Sequence, residues 1–335
     1  MSVTPQTNTT IEEIAERLRT LDSFALCGHV SPDGDCIGSA LGLSHALRML
    51  GKKTTCLLAA DASIEPGLRF LPGADELIYA GDYDETPDAF IALDVPTIER
   101  IKDAAAVHDR AEVRVTIDHH AVDTTMAELS YTDPDAPACG MLVWDLIRAL
   151  GIEPPRESAI CCYTALMTDT GRFQYQNTSA EAFRYAMEMV RCGANPADAS
   201  QNVYQSRSEA SFALEAVMLS HLFKDPAGRW AISFVTRDDM ERTGAAVKSD
   251  TETLIDTVRS MAGIQVACIL REQEGEVRGS LRAKGDDVDV SVLARRIGGG
   301  GHKAAAGFTY KGTLDEALKD VPRLIDRLFD EGGLD

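Results

Sequence analysis

The sequence predicts an α/β protein: an N-terminal domain with a mostly parallel sheet flanked by helices, a helical connector, and a smaller C-terminal α/β domain. Three observations carry this. Over the first half, short apolar runs that read as strands alternate with stretches of helical periodicity. Such alternation implies strands running one way, with helices returning over both faces. After Pro196 the pattern changes to a long helical stretch, and then to a second series of strands and helices. A chain of 335 residues with 44% hydrophobic content can fill two cores. We place the domains at 1–197 and 226–335, joined by a connector at 198–225.

The elements follow in order. Thr10-Ile11-Glu12-Glu13 fits a capping box, and Ile11, Ile14 and Leu18 form the apolar stripe of a first helix. A strand at 23–27 leads to a helix over 39–50, closed by Gly51. Strands are expected at 54–60, 89–93 and 113–117. A helix over 139–150 ends at Gly151, and a second starts at Pro155 and runs through Met167. Thr178-Ser179-Ala180-Glu181 caps a third that ends near Gly193. Residues 198–222 read as helical and polar on one side. Beyond them come a strand at 230–235, a helix near 250–261, strands at 265–271 and 276–281, and a helix at 291–297. The glycine run 298–301, a strand at 308–310 and a helix over 314–329 complete the chain.

Composition narrows the function. A formal charge of −20 argues against a broad basic surface for long nucleic acids, yet leaves room for small phosphorylated ligands met by metal ions or a few arginines. No segment reaches the ~18 uninterrupted apolar residues of a membrane span. MSVTPQTNTT lacks the basic start and apolar core of a signal peptide, which predicts a cytoplasmic protein with no membrane partner. The eight cysteines form no CxxC pair and read as buried thiols, with Cys36, beside two aspartates, placed close to a metal.

The acidic residues fall at strand ends. His29, Asp33 and Asp35 follow the first strand, Asp94 ends FIALD, and Asp118 ends VRVTID with His119 and His120 directly after. Asp169 follows the apolar stretch AICCYTALMT. Each aspartate alone is explained by a turn or helix cap. Four separated segments delivering Asp and His to the carboxyl edge of one parallel sheet are not. His45 and His108 stand apart and read as structural. Carboxylate with some imidazole and no thiolate pair suits Mn²⁺, with Mg²⁺ or Co²⁺ as alternatives, rather than structural zinc. The ligands outnumber what one substrate-binding ion needs, so two ions ~3.5–4 Å apart that activate a hydroxide are expected.

These residues resemble the motifs of the DHH phosphoesterase superfamily, named for the run that stands here as Asp118-His119-His120. His29-Val-Ser-Pro-Asp33-Gly-Asp35-Cys-Ile-Gly38-Ser39 is similar to its first motif, Ala92-Leu93-Asp94 to its second, and 168–173, TDTGRF, to its fourth. The C-terminal half resembles the DHHA1 domain, through Gly279-Ser280-Leu281-Arg282 and the run GGGGHKAAAG at 298–307. Length and spacing are similar to the NanoRNase branch, bifunctional oligoribonucleases and 3′-phosphoadenosine-5′-phosphate (pAp) phosphatases. One departure is the Asp at 123, where many relatives carry Asn.

The resemblance implies that His29, Asp33 and Asp94 hold a first Mn²⁺, and that Asp35, Asp94, His119 and Asp169 hold a second, with Asp94 as the bridge. His120 then faces the scissile phosphate, and Asp118 belongs to the catalytic set. Arg282, Gly299, Gly300, Gly301 and His302 would bind substrate, the glycines as a phosphate nest. From 278 to 303, six Lys/Arg stand against three Asp, a basic patch in an acidic chain. The implied substrates are very short oligoribonucleotides and small adenine nucleotides, on which a two-domain cleft sets a length limit. Hydrolysis of cyclic di-AMP or linear pApA is the alternative within this chemistry, and a catalytically silent nucleotide sensor the alternative outside it. A homodimer is compatible with either.

Overall fold

In a computed structural model the chain divides into two compact units, Met1–Ser206 and Arg207–Asp335. The structure describes residues 7–121, 125–245, 249–285 and 287–330. The Asp at 123 and the side chain of His302 lie outside what is described.

The first unit contains α1 (Ile11–Arg19), β1 (Ser23–Cys27), α2 (Gly34–Met49), β2 (Lys53–Leu58), β3 (Ile78–Tyr79), β4 (Ala89–Leu93), α3 (Ala105–Arg110), β5 (Val113–Asp118), β6 (Leu129–Thr132), α4 (Cys139–Ala149), α5 (Arg156–Asp169), α6 (Ala180–Arg191) and α7 (Pro196–Tyr204). Its six strands pair in the order β3-β2-β1-β4-β5-β6, every pairing parallel. Neighbouring β1 and β4 are therefore the pair at which the winding direction reverses, where open α/β sheets bind ligands at their carboxyl ends. Strand residues alternate between two cores. Phe24, Leu26, Ile91 and Leu93 pack with α1, α2, α4 and α5, whereas Ala25, Cys27, Phe90 and Ala92 pack with Val107 and Ile101. Burial on both faces explains why these strands read as unbroken apolar runs.

Local chemistry accounts for the element ends. Thr10 and Glu13 form the expected capping box. Helix α2 begins five residues before the expected start, at Gly34, because Asp33 is its N-cap and accepts from the Asp35 and Cys36 amides at 3.1 Å each. Gly34 is thus a helical residue rather than a turn former. A Cβ there would meet Thr168 Oγ1 at 2.4 Å, so glycine lets α2 approach α5. Gly38 repeats this one turn on, where a Cβ would meet the Cys161 carbonyl oxygen at 2.5 Å. Ser179, not Thr178, caps α6. The stretch read as one connector is two helices with a break at 205–208.

The second unit contains α8 (Glu209–Ser220), β7 (Phe223–Lys224), β8 (Trp230–Val235), α9 (Arg237–Thr243), α10 (Ser249–Glu252), α11 (Leu254–Arg259), β9 (Val266–Gln273), β10 (Glu276–Ala283), α12 (Val290–Arg296), β11 (Gly300–His302), β12 (Ala305–Lys311) and α13 (Leu314–Asp330). Its sheet runs β11-β12-β10-β9-β8-β7, antiparallel except for β8 with β9. No helix among the described residues is long and apolar enough to cross a membrane.

Replacing Gly38 with Ala tests the α2–α5 contact. Overpacking of roughly 1–3 kcal/mol should exceed the gain of up to ~1 kcal/mol from a better helix former. Urea unfolding is expected to show a lower midpoint than wild type, and a higher one would contradict the packing assignment.

Candidate metal centre

The carboxyl edge of the first sheet gathers five aspartates and three histidines. His29 follows β1, Asp33 and Asp35 open α2, Asp94 follows β4, and Asp118 ends β5 ahead of His119 and His120. Asp169 is the last residue of α5. Asp35, Asp94, Asp118 and His29 are buried.

Asp94 is the hub. Its Oδ2 lies 3.4 Å from His29 Nε2, while its Oδ1 lies 3.3 Å from His119 Nε2 and 3.6 Å from His120 Nδ1. Its two oxygens therefore face different imidazoles. Oδ1 is buried and none of these nitrogens is aligned to hydrogen-bond it; His29 Nδ1 is likewise buried without a hydrogen-bond partner. The backbone of Asp94 has φ of +55°, in the left-handed region that costs a non-glycine residue roughly 1–2 kcal/mol. Its amide donates to the Ile117 carbonyl at 3.1 Å, which holds that conformation.

Around the hub, other groups fix the ligands. Asp33 caps α2 through Oδ1 and turns Oδ2 to 3.7 Å from His29 Nε2, so one carboxylate serves helix and site together. Asp35 accepts from the Cys139 amide (2.7 Å), the Gly140 amide (2.9 Å) and Ser39 Oγ (3.1 Å). The N-cap position of α4 is Ala138, whose side chain cannot cap it, and the Asp35 carboxylate takes that role from another helix. His119 Nδ1 meets the Ala136 carbonyl at 3.1 Å, which turns Nε2 toward Asp94, Asp35 (3.7 Å) and Asp169 (3.9 Å). His120 Nδ1 donates to Asp118 Oδ1 at 2.8 Å. Beyond Asp169 the chain turns through Gly171, Arg172 and Phe173, all with positive φ, and Asn177 Nδ2 donates to the Asp169 carbonyl at 3.1 Å.

The electrostatics describe excess negative charge in a dry place. Burial pushes the Asp35 carboxyl up to about 7, with Asp94 adding to it. Burial likewise holds Asp169 well above the carboxylate range, reinforced by Asp35. For Asp94 burial also opposes ionisation, yet the imidazoles of His119 and His29 hold it well below that range. Burial disfavours the charged His29 ring, but Asp33 and Asp94 outweigh it and push it up to about 9. Burial keeps the Cys36 thiol well above its ordinary value. A set of this kind fits divalent cations, which would replace the shared protons and satisfy the orphaned oxygen. Three overlapping groups have ligand atoms within 4.8 Å of one another: His29, Cys36 and Asp94; Asp94, His119 and His120; Asp35, His119 and Asp169.

His45 and His108 stay outside this cluster, with ring nitrogens on the carbonyls of Pro72 and Met126. In the second unit Arg282 is half-buried on β10, where it pairs with Ala305, and Ala305 pairs in turn with His302. The Arg282 and His302 backbones thus flank one strand. Gly299 and Gly301 have packing reasons of their own: a Cβ would meet the Gly307 carbonyl oxygen at 2.0 Å and that of Ala305 at 2.5 Å. Gly300 meets nothing. Sequence reasoning missed the backbone partners Ala136, Cys139 and Gly140, for which the uncapped start of α4 was the one available signal.

Residues 23–166 match the DHH family, N-terminal domain, and residues 231–330 match the DHHA1 domain. The bifunctional oligoribonuclease and PAP phosphatase NrnA of Thermus thermophilus is 33% identical over 312 residues, covering 92% of this chain and 91% of that protein. Its namesake from Bacillus subtilis is 25% identical, covering 93% and 97%. Among solved structures, an exopolyphosphatase-related protein from Bacteroides fragilis is similar with a TM-score of 0.88 and 27% identity, over 95% of this chain and 96% of that one.

Metal binding should release protons. Cations bind the deprotonated ligands, whereas without metal Asp35 keeps its proton up to about pH 7 and His29 up to about 9. Divalent-cation affinity, measured with Mn²⁺ as the probe, is therefore expected to rise steadily between pH 6 and 8.5. Calorimetry in buffers of different ionisation enthalpy should register the released protons, and a pH-independent affinity would contradict this electrostatic account.

Proposed function

Because this chain belongs to the DHH family of phosphoesterases and is a hydrolytic enzyme of that family, we propose that it cleaves very short oligoribonucleotides to nucleoside 5′-monophosphates and converts pAp to AMP. The observation that carries the reading is the two-sided Asp94 carboxylate, Oδ2 toward His29 and Oδ1 toward His119. That orientation supports two cation subsites joined by one residue: His29, Asp33 and Asp94 for the first, and Asp35, Asp94, His119 and Asp169 for the second. Mn²⁺ is the ion we assign to both, on the oxygen-rich donor set. Such ions supply positive charge to a phosphoryl oxygen and ease deprotonation of an attacking water.

The protein's own residues do the rest. Asp118 fixes the tautomer and orientation of the His120 ring through the 2.8 Å hydrogen bond to Nδ1. His120 then serves the scissile phosphate, as its ligand or as the acid that protonates the leaving oxygen. Burial of Asp35 and Asp94 keeps bulk water from screening these charges. Arg282 on β10 supplies a guanidinium for a bidentate phosphate contact, with Gly300, Gly301 and the side chain of His302 as further phosphate ligands, while the Gly299 amide is engaged by the Ala294 carbonyl at 2.8 Å and shapes the loop. Similarity to the Thermus thermophilus and Bacillus subtilis proteins across nearly the whole chain supports both substrates.

An RNA dinucleotide and pAp, each assayed with Mn²⁺, test this reading. Asp94→Asn should lower kcat/KM on both by at least about a thousandfold. Asp118→Asn, which acts through His120, should cost roughly 10–100-fold. Undiminished turnover by Asp94→Asn would remove the metal centre from the reaction, and wild-type turnover of neither substrate would overturn the proposed specificity.

A further inference from the structure

Cys36 lies inside the centre yet has no task in the reaction described above. It is 2% exposed, and its sulfur forms a group with His29 and Asp94 whose ligand atoms all lie within 4.8 Å of one another. Atoms on a triangle with that largest edge sit no more than roughly 2.8 Å from its centre, so a contraction of about 0.5–0.8 Å reaches zinc–sulfur and zinc–nitrogen bond lengths. The sulfur is held in place. A Cβ on Gly28 would stand 2.1 Å from it, so a side chain at 28 would evict the thiol, and the Cys36 amide is tied to Asp33 Oδ1. His29 and Asp94, its neighbours in that group, are themselves buried, and each keeps an atom without a hydrogen-bond partner, His29 Nδ1 and Asp94 Oδ1. Asp33 Oδ2, 3.7 Å from His29 Nε2, completes a set of one sulfur, one nitrogen and two oxygens.

We propose that Cys36 is a fourth donor at the first cation subsite and raises its affinity for zinc-class cations above that for Mn²⁺, so that the Mn²⁺ assigned above holds this subsite only where such cations are scarce. Four donors that include a thiolate match tetrahedral Zn²⁺, and thiolate ligands raise affinity for Zn²⁺ and Co²⁺ far more than for Mn²⁺. As the sulfur–metal bond forms, the sulfur–hydrogen bond breaks and the proton passes to solvent. No atom changes oxidation state. Occupancy of the subsite then follows metal availability, and a small excess of Zn²⁺ displaces Mn²⁺.

The inference rests on the two-subsite reading, and Co²⁺ as a spectroscopic probe separates the two. Full-length wild type loaded with Co²⁺ should show visible d–d bands of bound cobalt together with a near-ultraviolet thiolate-to-cobalt charge-transfer band. Cys36→Ser should lose the charge-transfer band, and its Zn²⁺ affinity, measured by chelator competition, should fall at least about tenfold relative to its Mn²⁺ affinity. Wild type with d–d bands but no charge-transfer band overturns the role of Cys36 and leaves the metal centre standing. A charge-transfer band or an unchanged Zn²⁺/Mn²⁺ ratio in Cys36→Ser also overturns it. Wild type that takes up neither Co²⁺ nor Mn²⁺ overturns the metal centre itself.

Discussion

Concentrated negative charge at the reversal point of a parallel sheet is the constraint on which the first unit depends. Asp35, Asp94 and Asp118 are buried within reach of one another's imidazole partners, and no Lys or Arg forms an ion pair with any of them among the described residues. Buried carboxylates without compensation are costly, so they take up protons, gain imidazolium neighbours or hold cations. The chain uses the first two devices without metal, with Asp35 pushed up to about 7 and His29 up to about 9. Two divalent ions, in the proposed reading, supply the third.

The scaffold is arranged around that charge. Gly34 and Gly38 let α2 lie against α5, which brings Asp35 and Asp169 to the same imidazole at 3.7 and 3.9 Å. The uncapped start of α4 presents its amides to Asp35, so one carboxylate serves both helix dipole and site. Asp94 keeps a left-handed backbone that a glycine would adopt more easily. Strain of this kind persists where a side chain is needed in one orientation. The same close packing explains Gly28, whose missing side chain is the space Cys36 fills.

Much of this was legible in the sequence because it is local. Apolar runs bounded by turn residues located β1, β4 and β5 within one residue at each end, and the Thr10–Glu13 pattern marked the start of α1. The placement of acidic residues at strand ends followed from sheet topology once the strands were assigned. What escaped was non-local or too short to be periodic. Strands β3, β7 and β11 have two or three residues, and β6 has four. The early start of α2 was hidden because glycine disfavours a helix; the Asp33 cap sets that start, and the approach to Thr168 explains the glycine. The hold of Ala136 on His119 joins residues 17 apart, and that of Cys139 on Asp35 residues 104 apart, pairings that no window of sequence contains.

One carboxylate between two cation subsites is the centre of this account, and the magnetic behaviour of bound Mn²⁺ reads it most directly. Electron paramagnetic resonance of wild-type protein titrated with Mn²⁺ should show two ions per chain whose spectrum is exchange-coupled, as a bridging Asp94 requires. A single ion per chain, or two with the uncoupled spectrum of isolated Mn²⁺, would contradict it.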